Sequence, residues 1–191
     1  MYMEITKNKF ISIILLVILA TAIITVTAQS SLTYFHKDPR MVANVYFYEE
    51  NNGQATLIGE SGNLITDIGE NRTLFALVGS ATTLTGIAVG NETAISQTDT
   101  GLTAEATNSG FGRVAANVSA VWANGGDSSK NFTASFDSTA LIAVNSAILT
   151  WSTTASAQDA YAISFLTDGT QHQFPTSSRL TVIWSLTINC N

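Results

Sequence analysis

Nine residues close to the C-terminus constrain the fold most. In Leu180-Thr181-Val182-Ile183-Trp184-Ser185-Leu186-Thr187-Ile188, Leu180, Val182, Trp184, Leu186 and Ile188 share one face, while Thr181, Ser185 and Thr187 share the other with Ile183. A period of two puts alternate side chains on opposite sides of an extended backbone, so this is a half-buried β-strand. The same period recurs in Val114–Trp122, with an inward set of Val114, Ala116, Val118, Ala120 and Trp122. It recurs as Phe132, Ala134 and Phe136, as Tyr161, Ile163 and Phe165, and as Ala147, Leu149 and Trp151. Val42–Tyr48 and Leu84–Val89 read as further strands. Turn-forming clusters separate them at Asn51-Asn52-Gly53, Asn124-Gly125-Gly126-Asp127 and Asp168-Gly169. Many short strands with such turns predict a mainly β chain folded as an antiparallel, jelly-roll-like β-sandwich.

One segment breaks the pattern. Asp67-Ile68-Gly69-Glu70 looks like a capping box, and Ile68, Leu74, Phe75, Leu77 and Val78 follow it, which predicts one short helix over 68–78. Gly69 within that helix weakens it by about 1 kcal/mol relative to alanine.

The N-terminus obeys a different rule. Lys7 and Lys9 precede Phe10–Ala28, nineteen residues without a charge that end in Val26-Thr27-Ala28. A basic start, an apolar stretch and a small residue at its end describe a secretory signal cut before Gln29. The alternative is a retained anchor, because nineteen apolar residues just cross a hydrocarbon core of about 30 Å. A type IV pilin leader needs a small residue ahead of the apolar stretch, where this chain has Asn8-Lys9-Phe10. Membrane contact through residues 10–28 is expected only if they are kept. The chain then divides into 1–28, a 29–61 extension holding the first strands, and a 62–191 sandwich.

Removing 28 of the 191 residues leaves 163, with six Lys/Arg against thirteen acids, a net charge of −7. That sign argues against a partner bound through phosphate neutralisation, so no nucleic acid is expected. With 12% charged residues, the surface must be built from Ser, Thr and Asn.

Chemistry-bearing residues are sparse. His36 and His172 have no spaced carboxylate or cysteine motif beside them, and no metal, cofactor or enzymatic site is expected. A G-x-S-x-G elbow and the phosphate-binding glycine patterns are absent. Asp99, Asp127 and Asp168 sit in separate loops, one carboxylate each, where calcium needs several together; they read as turn residues. Four N-x-S/T sequons begin at Asn71, Asn91, Asn117 and Asn131. Asn117 and Asn131 fall on the polar phase of their strands and Asn91 in a turn, as a glycan acceptor requires, while Asn71 depends on the facing of the helix. Cys190 is the single cysteine, so any bridge it makes is intermolecular.

Several segments together resemble the small β-rich virion proteins of tailed bacteriophages, of the tail or tail-fibre-associated kind. They are Asn63-Leu64-Ile65-Thr66, Gly69, Thr85-Gly86-Ile87-Ala88-Val89-Gly90, Thr98-Asp99-Thr100-Gly101-Leu102-Thr103-Ala104-Glu105, Arg113 and the closing strand Leu180–Ile188. The resemblance covers about 62–188 and implies a β-sandwich used for assembly or attachment. The chain departs from it in its leader and in the added segment Gln29–Ser61. With the leader, the resemblance implies an extracellular filament or surface subunit of an archaeon or another prokaryote.

These readings converge on a non-enzymatic homopolymer whose subunits add a strand to one another, with Leu32–Phe35 or Val42–Tyr48 leaving its own domain. Leu32, Tyr34, Val45 and Phe47 are the expected assembly residues. A membrane-anchored adhesin is the alternative, and a hydrolase using His36 or His172 the least supported reading.

Overall fold

The computed structural model describes residues 40–77, 83–124, 127–166 and 170–189, all inside one compact unit, Arg40–Asn189. In chain order the unit holds β1 (Arg40–Asn51), β2 (Gln54–Gly62), β3 (Leu64–Ile65), α1 (Asp67–Leu77), β4 (Gly86–Gly90) and β5 (Val114–Ala115). Then come β6 (Asn117–Val118), β7 (Trp122–Asn124), β8 (Asp127–Asp137), β9 (Ile142–Val144), β10 (Ser146–Thr150), β11 (Ala160–Phe165), β12 (His172–Phe174) and β13 (Arg179–Asn189).

The strand that opens the sequence argument is central. β13 pairs antiparallel with β1 on one side and β8 on the other. The first sheet runs β2-β1-β13-β8-β6, with β7 also on β8, and the second runs β3-β11-β10-β4-β5. β9 and β12 form a separate pair. β1 and β2 are joined by a two-residue turn in which Asn52 and Gly53 both have positive φ, 53° and 79°. An Asn-Gly pair adopts that turn readily, and its twist matches the twist of a hairpin.

The first sheet turns Val45, Phe47, Phe132, Phe136, Leu180, Val182 and Trp184 toward the second, which answers with Ile87, Val89, Ala147 and Leu149. Burying each of the larger side chains contributes about 1.5–3 kcal/mol. The phase read for Leu180–Trp184, Phe132–Phe136 and Ala147–Leu149 is the observed one.

Sheet two differs in being buried on both sides. Every residue of β4 and β10 is buried. Ala88, Leu102, Ile148, Ala160 and Ile163 form a smaller apolar cluster apart from the main core, and the irregular segment 91–113 supplies Leu102 to it. A strand covered on both faces has no polar phase to display, so these strands read as apolar runs.

Two strand phases are corrected. Val114–Trp122 is not one strand. Val114–Ala115 lies in sheet two and Asn117–Val118 in sheet one, with the Ala116 N–H bonded to Thr85 O between them. The chain is changing sheets there, so the inward set ends at Val118 and Trp122 is 59% exposed. In β11, Leu149 opposes Ala162 but Thr150 opposes Ala160, which leaves Tyr161 as the extra residue of a bulge. The bulge turns Tyr161 into the main core and Ile163 into the smaller one, so they do not share a face.

Helix α1 spans Asp67–Leu77, close to the expected 68–78, but its N-cap is Thr66. Thr66 Oγ1 accepts the Gly69 N–H at 3.0 Å and donates to Ala160 O at 2.6 Å, so the cap also ties the helix to β11. Gly69 is then explained by space. A Cβ there would sit 2.2 Å from Tyr161 O. Gly69→Ala is expected to destabilise the fold by about 1–3 kcal/mol, overpacking outweighing the better helix propensity. Urea denaturation checks it, and a stabilised variant would show that propensity wins.

Among the described residues no helix is long and apolar enough to cross a membrane. The expected leader, Gln29, Leu32, Tyr34, His36, Asp168 and Cys190 lie outside the described residues.

Candidate functional site

Among the described residues β2 is an edge strand: it pairs with β1, and no described strand pairs on its other side. Its first four residues, Gln54, Ala55, Thr56 and Leu57, are all exposed, Leu57 by 48%. Farther along, Phe47 opposes Gly59 while Tyr48 opposes Leu57, so the ladder bulges at Ile58. Ile58 packs against the core from that bulge. The far end of β2 is tied down. Ser61 Oγ lies 2.6 Å from Ser164 Oγ on β11, and Ser164 Oγ donates to Gly62 O at 2.9 Å. The strand is thus closed at 61–62 and open over Gln54–Leu57, where one row of backbone donors and acceptors faces outward. The other sheet edges, β3, β5, β6 and β7, are two or three residues long.

The assembly residues expected on β1 behave differently. Val45 and Phe47 have no exposed surface and belong to the core. β1 pairs with β13 over its whole register from Arg40 to Glu50. In this chain Val42–Tyr48 pairs within its own sheet, and withdrawing it as a donor would remove this ladder and two large core side chains.

The other concentrated chemistry is a buried ionic cluster. Arg113 Nε and Nη2 donate to the two carboxylate oxygens of Glu105 at 2.9 and 3.0 Å. Its Nη1 donates to Asp159 Oδ1 at 2.7 Å and Thr150 Oγ1 at 3.1 Å, and Nη2 donates to Ala157 O at 2.7 Å. The guanidinium has no exposed surface, and the Glu105 side chain is 2% exposed. Burial pulls the Arg113 pKa down, but the hydrogen bonds and charges of Glu105 and Asp159 outweigh it and the pKa ends above its ordinary value. The guanidinium's share of this stability is therefore fully present below the ordinary arginine pKa and is lost as the pH rises through its raised value in the fold. The fork joins segment 91–113 to the loop after β10, and the Ser156 N–H to Glu105 Oε2 adds to the tie at 3.1 Å. Sequence reasoning had Glu105 and Arg113 only as parts of a resemblance; their spacing of eight gives no sign of contact.

Two depressions adjoin these elements. A groove of about 300 Å³ is lined by Met41, Ile65, Glu70, Thr73 and Leu74. A polar cleft of about 390 Å³ runs along Thr98–Thr103 with Ser156 and Gln158. Asp99 in that cleft accepts the Ser96 N–H at 2.6 Å, which is turn chemistry. Among the described residues no three His, Cys, Asp or Glu side chains are grouped to hold a metal ion. His172 Nε2 lies 2.9 Å from Glu49 Oε2.

The sequons fall into two kinds. Asn71 on α1 and Asn117 on β6 are exposed. Asn91 and Asn131 are half-buried, and each has its carboxamide oxygen sealed from solvent without a hydrogen-bond partner.

Comparison with protein-family models, curated proteins and solved structures finds no match to this chain.

Proposed function

We propose that this chain is a non-enzymatic structural subunit of an extracellular filament or surface coat, built by strand addition between copies. The open edge at Gln54–Leu57 carries the reading. The stretch Gln54–Leu57, ahead of the bulge at Ile58, has no charged residue and no proline to block pairing with another chain. The donor we assign is Leu32–Phe35, where Leu32 and Tyr34 would share one face and fix register while the backbone supplies affinity. Chain reach makes the donor a neighbour's. Tyr48, beside Leu57, lies about 26 Å along β1 from Arg40 at roughly 3.3 Å per residue. The five residues from Phe35 to Arg40 extend at most about 18 Å. A head-to-tail contact that does not close on itself produces an open polymer.

A second reading, a tail-type virion structural protein, draws on the resemblance.

Two variants test strand addition. Deleting 29–39 should leave a folded unit with an unchanged melting temperature and no polymers in negative-stain images of secreted material. Leu57→Lys should change stability by no more than about 0.5 kcal/mol, since the side chain is exposed, yet remove polymers in the same images. Polymers that persist in both variants would contradict the assignment.

A further inference from the structure

Sheet one has two edges, and a regular polymer of this kind needs only β2 to be available. The opposite edge is made by β6 and β7, and a sequon begins on it. Asn117 is exposed, and its carboxamide makes no hydrogen bond to the described residues. Its neighbour on the next strand is Thr133, the hydroxyl residue of the second sequon. Ser119 and Asn131 are joined in both directions, Ser119 N–H to Asn131 O and Asn131 N–H to Ser119 Oγ, each at 2.9 Å. The structure thus brings the two sequons side by side but makes them unequal. Asn131 sits on β8 between β13 and β6, with its carboxamide oxygen sealed. Asn117 is exposed and stands on β6, the last described strand on that side of the sheet.

We infer that Asn117 is an N-glycan acceptor, that Asn131 beside it stays bare, and that the glycan caps the β6 edge so that copies add only at β2. The inference deepens the strand-addition reading and rests on it for the capping role alone. The chemistry needs a polyprenyl-phosphate-linked oligosaccharide as donor. Asn117 Nδ2 forms a bond to the anomeric carbon, the bond from that carbon to the phosphate oxygen breaks, the polyprenyl phosphate leaves with the electron pair, and Nδ2 gives up one proton. A sugar on that atom is bulky and hydrated, and it stops a second chain from approaching the edge strand.

Glycopeptide mass spectrometry of the full chain from its native cells, with Asn117→Gln beside it, tests this. The expected result is a glycan mass on the Asn117 peptide, none on the Asn131 peptide, and loss of one glycan mass in the variant. Asn117→Gln keeps the Ser119–Asn131 bonds, so its unit should fold normally, and its images should show bundles joined side to side. An unmodified Asn117 peptide, a glycan on Asn131, or unbundled polymers in the variant would each overturn the inference. An occupied Asn117 in a protein that forms no polymers would instead retain the acceptor, remove the capping role and sink the strand-addition reading.

Discussion

Replacing Arg113 by methionine should destabilise the folded unit by about 3–5 kcal/mol, because it leaves Glu105 and Asp159 buried without their cation. Glu105 has almost no exposed side chain, and Asp159 is 20% exposed with one carboxylate oxygen that already lacks a partner. For a unit of this size the loss corresponds to a fall in melting temperature of roughly 6–20 °C. Arg113→Lys should fall between wild type and Arg113→Met, since an ammonium keeps the charge but cannot make the two-pronged contact. Replacing Arg113, Glu105 and Asp159 together by apolar residues of similar volume should recover much of the loss, because a buried ion pair does little more than offset its own desolvation. If Arg113→Met melts with the wild type, the fork is not what holds segment 91–113 to sheet two.

Gly110→Ala should destabilise the fold by about 2–5 kcal/mol through two separate effects. Gly110 has φ +84°, where an L side chain is strained by about 1–2 kcal/mol. A Cβ there would also lie 1.8 Å from Asp137 O, so backbone must move, at about 1–3 kcal/mol more. The movement reaches the core directly. The next residue, Phe111, is fully buried and stacks on Phe136 at 5.7 Å and against Phe174 at 5.6 Å. Gly53→Ala is the control: φ is +79° but no atom lies within 4 Å of the added Cβ, so only the backbone strain remains. Denaturant unfolding of the two variants separates strain from collision. Equal losses would show that Asp137 moves aside without resistance.

Local pattern reveals the elements whose two faces meet different surroundings. β13 and β8 alternate because one face is core, so their phases are readable residue by residue. The Asn-Gly turn was readable because positive φ selects those residues. What stayed hidden depends on contacts between distant positions. The bulge at Tyr161 inverts a phase without a mark in the sequence. Gly69 reads as a defect in a helix until Tyr161 O is seen above it. Thr66 and Asp67 are both good cap residues, and only the bond from Gly69 N–H to Thr66 Oγ1 decides between them. Arg113 and Glu105 meet only after 91–113 folds back over sheet two. The alternation of Val42–Tyr48 is that of any half-buried strand, and only the pairing of β1 with β13 and β2 shows its place in the sheet.

The central claim is that copies join through the open half of β2. Hydrogen–deuterium exchange on secreted full-length chain, compared with the 29–39 deletion, tests it most directly. The account predicts that the outward-facing backbone amides of Gln54–Leu57, those not bonded to β1, exchange rapidly in the deletion variant and at least about 100-fold more slowly in polymers, as sheet amides buried by pairing do. Polymers in which those amides exchange as fast as in the deletion variant would contradict it.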